Sequence, residues 1–284
     1  MKGIVLAGGT GSRLWPMTHS VSKQLIPVYD KPMIFYPIST LMLAGIREIL
    51  VITTPQDQSA FMHLLGNGAE YGLKFQYAIQ PKPEGLAQAF IIAEDFLNGD
   101  SSMLILGDNI FHGVGLGSEL KNLTTKGAHI FTYEVSNPQD YGILEIDSAG
   151  NPKSVEEKPV ASQSKLAITG LYSFDANAPI IAKTLTPSKR GELEITSLIN
   201  HYLQSEDLSI TELSRGTVWL DTGTPGSLYD ATSYVRIIEE RSGLKIACLE
   251  EIAWNSGWIE KDILKSQIQK YAKSTYGAYL ENLI

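Results

Sequence analysis

The first half of the chain alternates short runs of apolar, β-branched residues with amphipathic segments, and few folds accommodate that order. The apolar runs predict strands at residues 4–6, 49–53, 75–78, 103–106 and 130–135. The segments between them predict helices at residues 32–45, 58–65, 86–97 and 116–125. A β-α-β order predicts an α/β fold, a Rossmann-like, doubly wound, mixed and mostly parallel sheet flanked by helices. Ligands bind such a sheet beyond the carboxyl ends of its strands.

From about Tyr141 onward, strands follow one another with fewer helices between them. We expect strands at residues 142–146, 155–157, 168–174 and 218–220, extending the same sheet into a second lobe. After about Gly243 the pattern predicts helices at residues 249–256, 260–271 and 275–282. The expected organisation is an α/β domain at residues 1–242, with parts at about 1–140 and 141–242, followed by a helical C-terminal segment at 243–284.

Charge and cysteine content exclude several classes of function. The 284 residues are 43% hydrophobic, enough to bury a large core, and the formal net charge of −8 argues against an extended surface for nucleic acid. No apolar stretch reaches the length that spans a membrane, and the run after Met1 is too short for a secretory signal, so we expect a cytoplasmic protein. The single cysteine, Cys248, allows no intrachain disulfide and no cysteine-rich metal site.

A glycine-rich loop follows the first predicted strand and is suited to bind an anion. Small residues let backbone amides approach a phosphate closely, and the residues that we expect to contact one are Leu6, Gly8, Gly9, Thr10, Gly11, Ser12 and Arg13. Leu14 stands where a dinucleotide-binding motif has its third glycine, and the Gly-Lys-Ser/Thr of a P-loop is absent. A dinucleotide-dependent oxidoreductase is therefore disfavoured, although the loop alone does not exclude a simple turn. Arg13 and Lys23 add two cations, which suit a triphosphate.

The glycine-rich loop and a second segment that follows it carry a family resemblance. Residues 8–14 (GGTGSRL) and 22–33 (SKQLIPVYDKPM) resemble the signature of glucose-1-phosphate thymidylyltransferases, a family of sugar nucleotidylyltransferases. The resemblance continues in order through residues 80–87 (QPKPEGLA), 106–111 (LGDNIF), 141–142 (YG), 156–159 (EEKP), 169–172 (TGLY), 190–196 (RGELEIT) and 219–224 (WLDTGT). It implies a fold of the nucleotide-diphospho-sugar transferase type, with the nucleotide bound by residues before 141 and the sugar by residues after it.

Two aspartates come directly after predicted strands and would emerge at the ligand-binding edge of the sheet. Asp108 follows the strand at 103–106, and Asp221 follows the strand at 218–220. Taken alone, each position is as compatible with a helix cap or a turn as with a metal site. The resemblance implies that both aspartates bind Mg²⁺, which prefers oxygen ligands and bridges carboxylates to substrate phosphates.

The resemblance also implies the substrate contacts. A glutamine amide offers a donor and an acceptor side by side, and the residues implied around the thymine nucleotide dTTP are Gln80, Gln24, Pro83 and Gly85. The residues implied around glucose 1-phosphate are Tyr141, Gly142, Glu157, Thr169 and Gly170, with Lys158 on its phosphate. The residues expected to act in catalysis are Arg13, Lys23, Asp108 and Lys158.

The implied reaction is transfer of a nucleotidyl group from dTTP to glucose 1-phosphate, giving dTDP-glucose and pyrophosphate, as a first step of dTDP-rhamnose or other deoxysugar synthesis. The five histidines are scattered and suggest no triad or metal site. Two alternatives stay open. One is a related transferase using UTP with glucose or GTP with mannose, because residues 13–16 (RLWP) also resemble mannose-1-phosphate guanylyltransferases, although residues 28–32 (VYDKP) favour thymidylyl transfer. The other is a non-catalytic paralogue that senses nucleotide sugars, against which the retained Asp108 and Asp221 argue.

The C-terminal segment has no part in this chemistry. The resemblance implies a homotetramer in which this segment helps to form a second site, where an end-product sugar nucleotide inhibits, and we expect Arg215 and Glu251 in that site. The spacing of Ile263, Leu264, Ile268 and Tyr271 predicts a buried helix face. The chain departs from the family pattern at residues 112–114 (HGV) and 225–226 (PG), near the segments of this second site.

Overall fold

Helices cover both faces of a central sheet in the computed structural model, which describes residues 1–123 and 126–284. The strands are β1 (Lys2–Ala7), β2 (Pro27–Val28), β3 (Lys31–Pro32), β4 (Glu48–Thr53), β5 (Lys74–Ile79), β6 (Ser102–Leu106), β7 (Asn109–His112), β8 (Ala128–Glu134), β9 (Gly142–Ile146), β10 (Pro152–Glu157), β11 (Leu166–Phe174), β12 (Leu208–Glu212) and β13 (Val218–Asp221). The helices are α1 (Phe35–Leu43), α2 (Gln58–Leu65), α3 (Gln88–Ile92), α4 (Glu94–Leu97), α5 (Leu116–Lys121), α6 (Ala178–Thr184), α7 (Ile195–Gln204), α8 (Pro225–Ser242), α9 (Leu249–Asn255), α10 (Lys261–Lys270) and α11 (Thr275–Glu281). The last two residues of the helix expected at 116–125 lie outside the described residues.

The central sheet of the described chain has nine strands, in the order β10-β9-β11-β6-β1-β4-β5, with β8 pairing with β11 and with β12. β1 lies parallel to β4 and β6, and β4 lies parallel to β5. β11 runs antiparallel to β6, β8 and β9, and β10 runs antiparallel to β9. This mixed, mostly parallel arrangement confirms the predicted fold class, and it brings the carboxyl ends of β1, β5 and β6 to one edge.

Alternate residues of each parallel strand fill two separate cores. In β1, Val5 faces the core that α1 and α2 cover, whereas Ile4 faces the core that α3, α6 and α7 cover. Both side chains are fully buried, and each contributes about 1.5–3 kcal/mol by leaving water. The central sheet is therefore packed on both faces, which fixes the positions of the strand ends and of the loops that follow them.

One expected strand lies elsewhere than the sequence pattern suggests. β13 does not extend the central sheet but pairs antiparallel with β7 in a separate two-stranded sheet. The chain leaves the central sheet after Leu106 and turns at Gly107 and Asp108, so β7 lies outside that sheet and β13 pairs with it. Thr222, directly after β13, donates from its backbone N–H (3.1 Å) and its hydroxyl (2.7 Å) to the carbonyl oxygen of Asp108. The two-stranded sheet thus fixes the end of β13 beside the end of β6.

The C-terminal helices pack directly on the α/β core. Leu249, Ala253 and Leu264 belong to the same apolar cluster as the residues of α1. In α10 the buried face centres on Leu264 and Gln267, so Ile263, which the spacing placed on this face, lies at its edge and is 36% exposed. Within the described residues, no helix combines the length and the apolar character needed to cross a membrane.

Candidate active site

One cavity of about 340 Å³ lies at the carboxyl ends of β1, β5 and β6 and extends toward β9, β10 and β11. Its size suits a small-molecule ligand. The sequence-predicted residues that line it are Leu6, Gly9, Arg13, Lys23, Gln24, Gln80, Pro83, Gly85, Asp108, Tyr141, Gly142, Glu157, Lys158, Gly170 and Asp221. Residues from the whole α/β part of the chain therefore converge on one site.

The glycine-rich loop leaves β1 and borders the mouth of the cavity. The Oγ1 of Thr18 donates to the carbonyl oxygen of Gly11 at 2.7 Å, and the fully buried side chain of Leu14 anchors the end of the loop. These contacts hold the backbone in one conformation while Gly9 stays exposed. The predicted loop residues that do not line the cavity, all within the described chain, are Gly8, Thr10, Gly11 and Ser12.

Asp108 and Asp221 lie at the centre of the cavity. Asp108 lies in the turn between β6 and β7 and is 8% exposed. Its carboxylate accepts a hydrogen bond from the Nδ2 of Asn109 at 3.1 Å and forms an ion pair with Lys23. Burial alone would raise the pKa of Asp108, but the Lys23 ammonium and the Asn109 amide hold it below the ordinary value. Asp108 is thus held as a carboxylate.

The charge of Asp108 affects the pKa of Asp221. Burial, and then the charge of Asp108, raise the pKa of Asp221 to about 6, and the cations Lys23 and Arg13 offset this only in part. Two carboxylates therefore repel each other at the same point of the cavity. A divalent cation between them would remove this repulsion.

Asp108 and Asp221 fit a hard cation such as Mg²⁺. Their oxygens are the ligand type that Mg²⁺ prefers. Among residues 1–123 and 126–284, no group of three or more His, Cys, Asp or Glu side chains is arranged to hold a metal. A cation bound by these two aspartates would therefore complete its shell with water and substrate phosphate oxygens, as Mg²⁺ commonly does.

One end of the cavity presents amide groups. Gln80 follows β5 and is 4% exposed, and a Cβ atom at Gly8 would overlap with its Oε1, so Gly8 lets this amide approach the loop. Gln24 is also buried, and its Oε1 accepts from the hydroxyl of Ser22 at 2.7 Å. Gly85 has a φ of 106° and lies against the backbone of Leu193, a position that only glycine fits. This end offers hydrogen-bonding groups of fixed orientation.

The other end of the cavity presents charged groups. Glu157 ends β10, and Lys158 follows it with its backbone N–H bonded to the carbonyl oxygen of Tyr141 at 3.0 Å. Burial, and then the charge of Glu194, raise the pKa of Glu157, while Arg190 and Lys158 lower it in part. Arg190 contacts Glu157 at 3.3 Å and Glu194 at 2.9 Å. This end can accept hydrogen bonds from hydroxyl groups and attract an anion.

Thr169 lies beside this end without reaching the cavity. It is fully buried, and its hydroxyl donates to the carbonyl oxygen of Phe131 at 3.0 Å. The next residue, Gly170, does line the cavity, and a Cβ atom at this position would clash with the Oδ1 of Asn109. The side chain of Thr169 thus joins β11 to β8.

Several lining residues were not assigned a role from the sequence, notably Asn109, Asp140, Arg190, Glu194, Thr196 and Trp219. The indole N–H of Trp219 donates to the Oδ1 of Asn109 at 2.6 Å, and its ring lies 5.1 Å from that of Tyr141. Arg190, Glu194 and Thr196 stand in the RGELEIT segment and Trp219 in the WLDTGT segment. Membership in these two segments was the feature of the sequence that could have identified the four residues as part of the site.

The two residues expected in a regulatory site lie outside the cavity. Arg215 is exposed between β12 and β13, and Glu251 lies on α9, where its carboxylate accepts from the hydroxyl of Tyr279 at 2.7 Å. Burial raises the pKa of Glu251, and the bond from Tyr279 lowers it in part. Both residues are therefore separate from the cavity that Asp108 and Asp221 share.

Comparison with known proteins gives the family. The model of the family described as nucleotidyl transferase matches residues 2–236. The glucose-1-phosphate thymidylyltransferase of Neisseria gonorrhoeae is 53% identical over 286 residues, which cover 100% of this chain and 99% of that protein. The protein of the same name from Mycobacterium tuberculosis strain H37Rv is 50% identical over 285 residues, with the same coverage of 100% and 99%.

Solved structures share the fold. A candidate glucose-1-phosphate thymidylyltransferase from Bacillus anthracis, in complex with sucrose, superposes with a TM-score of 0.77 at 39% identity and covers 83% of this chain and 95% of that chain. A UDP-glucose pyrophosphorylase in complex with UDP-glucose superposes with a TM-score of 0.74 at 22% identity, covering 84% and 98%. The second likeness concerns the fold alone.

Proposed function

Because this chain belongs to the glucose-1-phosphate thymidylyltransferases of the nucleotidyl transferase family, we propose that it transfers a thymidylyl group from dTTP to glucose 1-phosphate. The products are dTDP-glucose and pyrophosphate. The observation that carries the proposal is the cavity itself, in which Asp108 and Asp221 lie with Arg13 and Lys23 between an end lined by amides and an end lined by charged groups.

In this proposal Asp108 and Asp221 hold Mg²⁺. Support comes from the mutual repulsion of the two carboxylates and from their oxygen chemistry. A bound Mg²⁺ neutralises negative charge on the phosphates of the substrates. Lys23, which pairs with Asp108, and Arg13 add positive charge at the same place.

The amide-lined end is proposed to bind the nucleotide. Gln80 and Gln24 would contact the base, which Leu6, Pro83 and Gly85 would enclose. The glycine-rich loop would bind the phosphates through backbone amides of residues 8–13, of which Gly9 and Arg13 line the cavity, and the bond from Thr18 helps to hold this loop.

The charged end is proposed to bind glucose 1-phosphate. Glu157 would accept hydrogen bonds from sugar hydroxyls, and Tyr141, Gly142 and Gly170 would border the ring. Lys158 would contact the phosphate. Since the side chain of Thr169 is bonded to β8, only its backbone is available to the sugar.

The reaction that we propose is an in-line displacement. A phosphate oxygen of glucose 1-phosphate attacks the α-phosphorus of dTTP and forms a new P–O bond. The bond from this phosphorus to the oxygen that bridges to the β-phosphate breaks, and pyrophosphate leaves with the electron pair. No protein nucleophile takes part, so the chain contributes by aligning two polyanions and by stabilising the developing charge with Arg13, Lys23 and Lys158.

A matrix of substrates tests the proposal. Purified protein with Mg²⁺ is incubated with dTTP, UTP or GTP, each against glucose, galactose or mannose 1-phosphate, and pyrophosphate release is measured. We expect the highest kcat/KM with dTTP and glucose 1-phosphate. A preference for UTP or for GTP with mannose 1-phosphate would identify a related transferase. Absence of turnover with every pair, together with tight binding of a sugar nucleotide, would identify a non-catalytic sensor.

We extend the proposal to assembly and regulation, with a cytoplasmic homotetramer inhibited by an end-product sugar nucleotide at a second site. Exposed apolar side chains on and after α8, namely Tyr229, Ile237 and Leu244, support a subunit interface. Arg215→Ala or Glu251→Gln should weaken inhibition by dTDP-rhamnose with little change in turnover. Inhibition that is strictly competitive with dTTP, and unaffected by either change, would remove the second site from the proposal.

A further inference from the structure

We propose that Glu84 and Gln88, which do not line the cavity, fix the orientation of the Gln80 side-chain amide and thereby make the site select pyrimidines that carry an N–H at position 3. Thymine and uracil have this N–H, and cytosine has a lone pair in its place. The inference rests on the proposed function, in which Gln80 contacts the base.

Three side chains form a chain of hydrogen bonds behind the cavity. The Nε2 of Gln88 donates to the Oε2 of Glu84 at 2.8 Å, and the Nε2 of Gln80 donates to the Oε1 of Gln88 at 2.7 Å. Gln80 lines the cavity, whereas Gln88 and Glu84, both within the described residues, do not. The chain therefore runs from an exposed carboxylate to a buried amide that faces the ligand.

The carboxylate decides the direction of every bond in this chain. An ionised carboxylate only accepts hydrogen bonds, so Gln88 must turn its NH₂ group toward Glu84 and its Oε1 toward Gln80. Gln80 must then turn its NH₂ group toward Gln88. The carbonyl oxygen of Gly85, also an acceptor only, lies 3.4 Å from the same Nε2 and imposes the same direction.

The opposite atom of the Gln80 amide is left for the ligand. Its Oε1 borders Gly8 of the phosphate loop, and within the described chain no donor contacts it. An oxygen in this place accepts a hydrogen bond from the N3–H of thymine or uracil. The N3 of cytosine would face this oxygen with a lone pair, leaving two acceptors opposed and a buried polar atom unpaired.

The backbone keeps the three residues in place. Glu84 and Gln88 are four residues apart around the start of α3, and the carbonyl oxygen of Glu84 accepts from the backbone N–H of Leu193 at 2.7 Å. Ala87 in turn donates from its backbone N–H to the carbonyl oxygen of Leu193 at 3.0 Å. These two bonds hold the segment against Leu193, which positions the side chains of Glu84 and Gln88 relative to Gln80.

The base selectivity of wild type and three variants tests the inference. Equilibrium binding of dTTP, dUTP and dCTP, and kcat/KM for each with glucose 1-phosphate, are measured for wild type, Glu84→Gln, Gln88→Leu and the double variant Glu84→Gln with Gln88→Glu. Loss of one orienting hydrogen bond should lower the preference for dTTP over dCTP about three- to tenfold. We expect this loss in Glu84→Gln and Gln88→Leu. The preference should return in the double variant, because a carboxylate at position 88 again accepts from Gln80.

Two comparisons separate an orienting role from a structural one. The loss of binding caused by each single substitution should be equal for dTTP and dUTP. It should raise KM for the nucleotide more than it lowers kcat. KM for glucose 1-phosphate should stay unchanged. Asp95→Asn, an exposed acid further along the same segment, is the matched control and should behave as wild type.

The outcomes distinguish this inference from the proposed function. If wild type binds no thymidine nucleotide and turns over no dTTP, the proposed function fails. If wild type prefers dTTP but all variants keep the same dTTP to dCTP ratio, or lose all three nucleotides equally, the orienting role is wrong while the proposed function stands. Failure of the double variant to restore the ratio also overturns the role of the carboxylate.

Discussion

At the scale of single residues, the two carboxylates of the cavity depend on contacts that no local pattern contains. Asp108 follows a strand of the central sheet, and Asp221 ends a strand of the separate two-stranded sheet. They meet because Thr222 bonds the carbonyl oxygen of Asp108. Their roles as metal ligands are a proposal. Replacing either aspartate with asparagine, which removes one negative charge, tests it.

We expect Asp108→Asn and Asp221→Asn each to lower kcat by several orders of magnitude while the protein stays folded. Each change removes a charge that would hold Mg²⁺ but keeps the size of the side chain. Pyrophosphate release measures the loss, and a thermal melt followed by circular dichroism checks the fold. Activity within about threefold of wild type, or about 0.7 kcal/mol at the barrier, would reject that aspartate as a ligand.

The sequence assigned roles to some residues of the motifs that line the cavity and overlooked others in the same motifs, such as Arg190 and Trp219. The phosphate loop, Gln80 and Glu157 belong to short motifs. Trp219 reaches the cavity by bonding Asn109, which lies 110 positions earlier in the chain. A single sequence does not contain that pairing, so the WLDTGT motif alone did not show that the side chain of Trp219 enters the cavity.

At the scale of secondary-structure elements, a buried ionic cluster joins α8 to the hairpin formed by β2 and β3. The Oε1 of Glu239 accepts from Lys31 at 2.8 Å and from the backbone N–H of Ile246 at 2.9 Å, and its Oε2 accepts from Lys245 at 2.9 Å. Both lysines also pair with Asp30. Burial would raise the pKa of Asp30, but Lys31 and Lys245 hold it below the ordinary value.

Glu239→Gln should lower the free energy of unfolding by about 3–5 kcal/mol, because it leaves two buried ammonium groups with one carboxylate. Urea unfolding near pH 7 measures the change. The neighbouring Glu240 is exposed and pairs with Arg236 at 2.8 Å on the helix surface. Glu240→Gln should therefore cost under about 0.5 kcal/mol. Equal losses in the two variants would show that the cluster does not stabilise the fold.

A second buried carboxylate makes stability depend on pH. Burial raises the pKa of Glu250, which Tyr276, Cys248 and Lys270 lower only in part. The Glu250 carboxyl therefore binds a proton more tightly in the folded state than in the unfolded state, where its pKa is near 4.5. The free energy of unfolding should decrease as the pH rises from this value through the raised one.

Glu250→Gln should flatten this dependence, because the amide does not ionise and its oxygen still accepts from Tyr276. Relative to wild type, its free energy of unfolding should increase between pH 5 and pH 8, by up to about 1.4 kcal/mol per pH unit inside the titration interval. Denaturant unfolding at a series of pH values measures it. Glu281→Gln, which changes an exposed acid on α11, is the control. If both variants showed the same dependence of unfolding free energy on pH, Glu250 would not be the group responsible.

The strands and helices before residue 123 and the helices after Gly243 were mostly predicted, whereas α6, α7, α8 and β12 between them were not, although α7 buries residues at helical spacing. Other errors arose where chain geometry overrides the pattern. The helix expected at 86–97 is divided at Ala93 into α3 and α4, and the helix expected from residue 32 begins at Phe35 because Lys31 and Pro32 form β3. β7 was not predicted, since its four residues offer little pattern of their own. It exists because β13, far along the chain, pairs with it.

At the scale of the whole molecule, the C-terminal helices share the core of the α/β part. Leu249, Ala253 and Leu264 contact the cluster that α1 covers, and Ile268 and Tyr271 also pack against Cys248, Tyr276 and Leu280. Sequence alone indicated that this segment has a buried face but could not identify what covers it. In the structure the same chain covers it.

Truncation after Ser242 should therefore abolish a soluble, cooperatively folding protein, because it exposes the apolar face of α1 to water. A matched pair of substitutions tests the same contact without deletion. Leu264→Ala, at a fully buried position, should lower the free energy of unfolding by about 2–5 kcal/mol. Ile263→Ala, one residue earlier and 36% exposed, should cost under about 1 kcal/mol. A truncated protein that unfolds cooperatively would show that the α/β part is independent.

The position of the single cysteine gives the protein a natural reporter of its own opening. Cys248 precedes α9 and is 1% exposed, with its Sγ 3.3 Å from the Oη of Tyr276 on α11. Burial, and then the charge of Glu250, raise the pKa of its thiol, so the reactive thiolate is scarce in the folded protein at neutral pH. A thiol reagent can modify this side chain only when α9 and α11 separate. The rate of labelling of the unaltered protein therefore reports how often the packing around Cys248 opens.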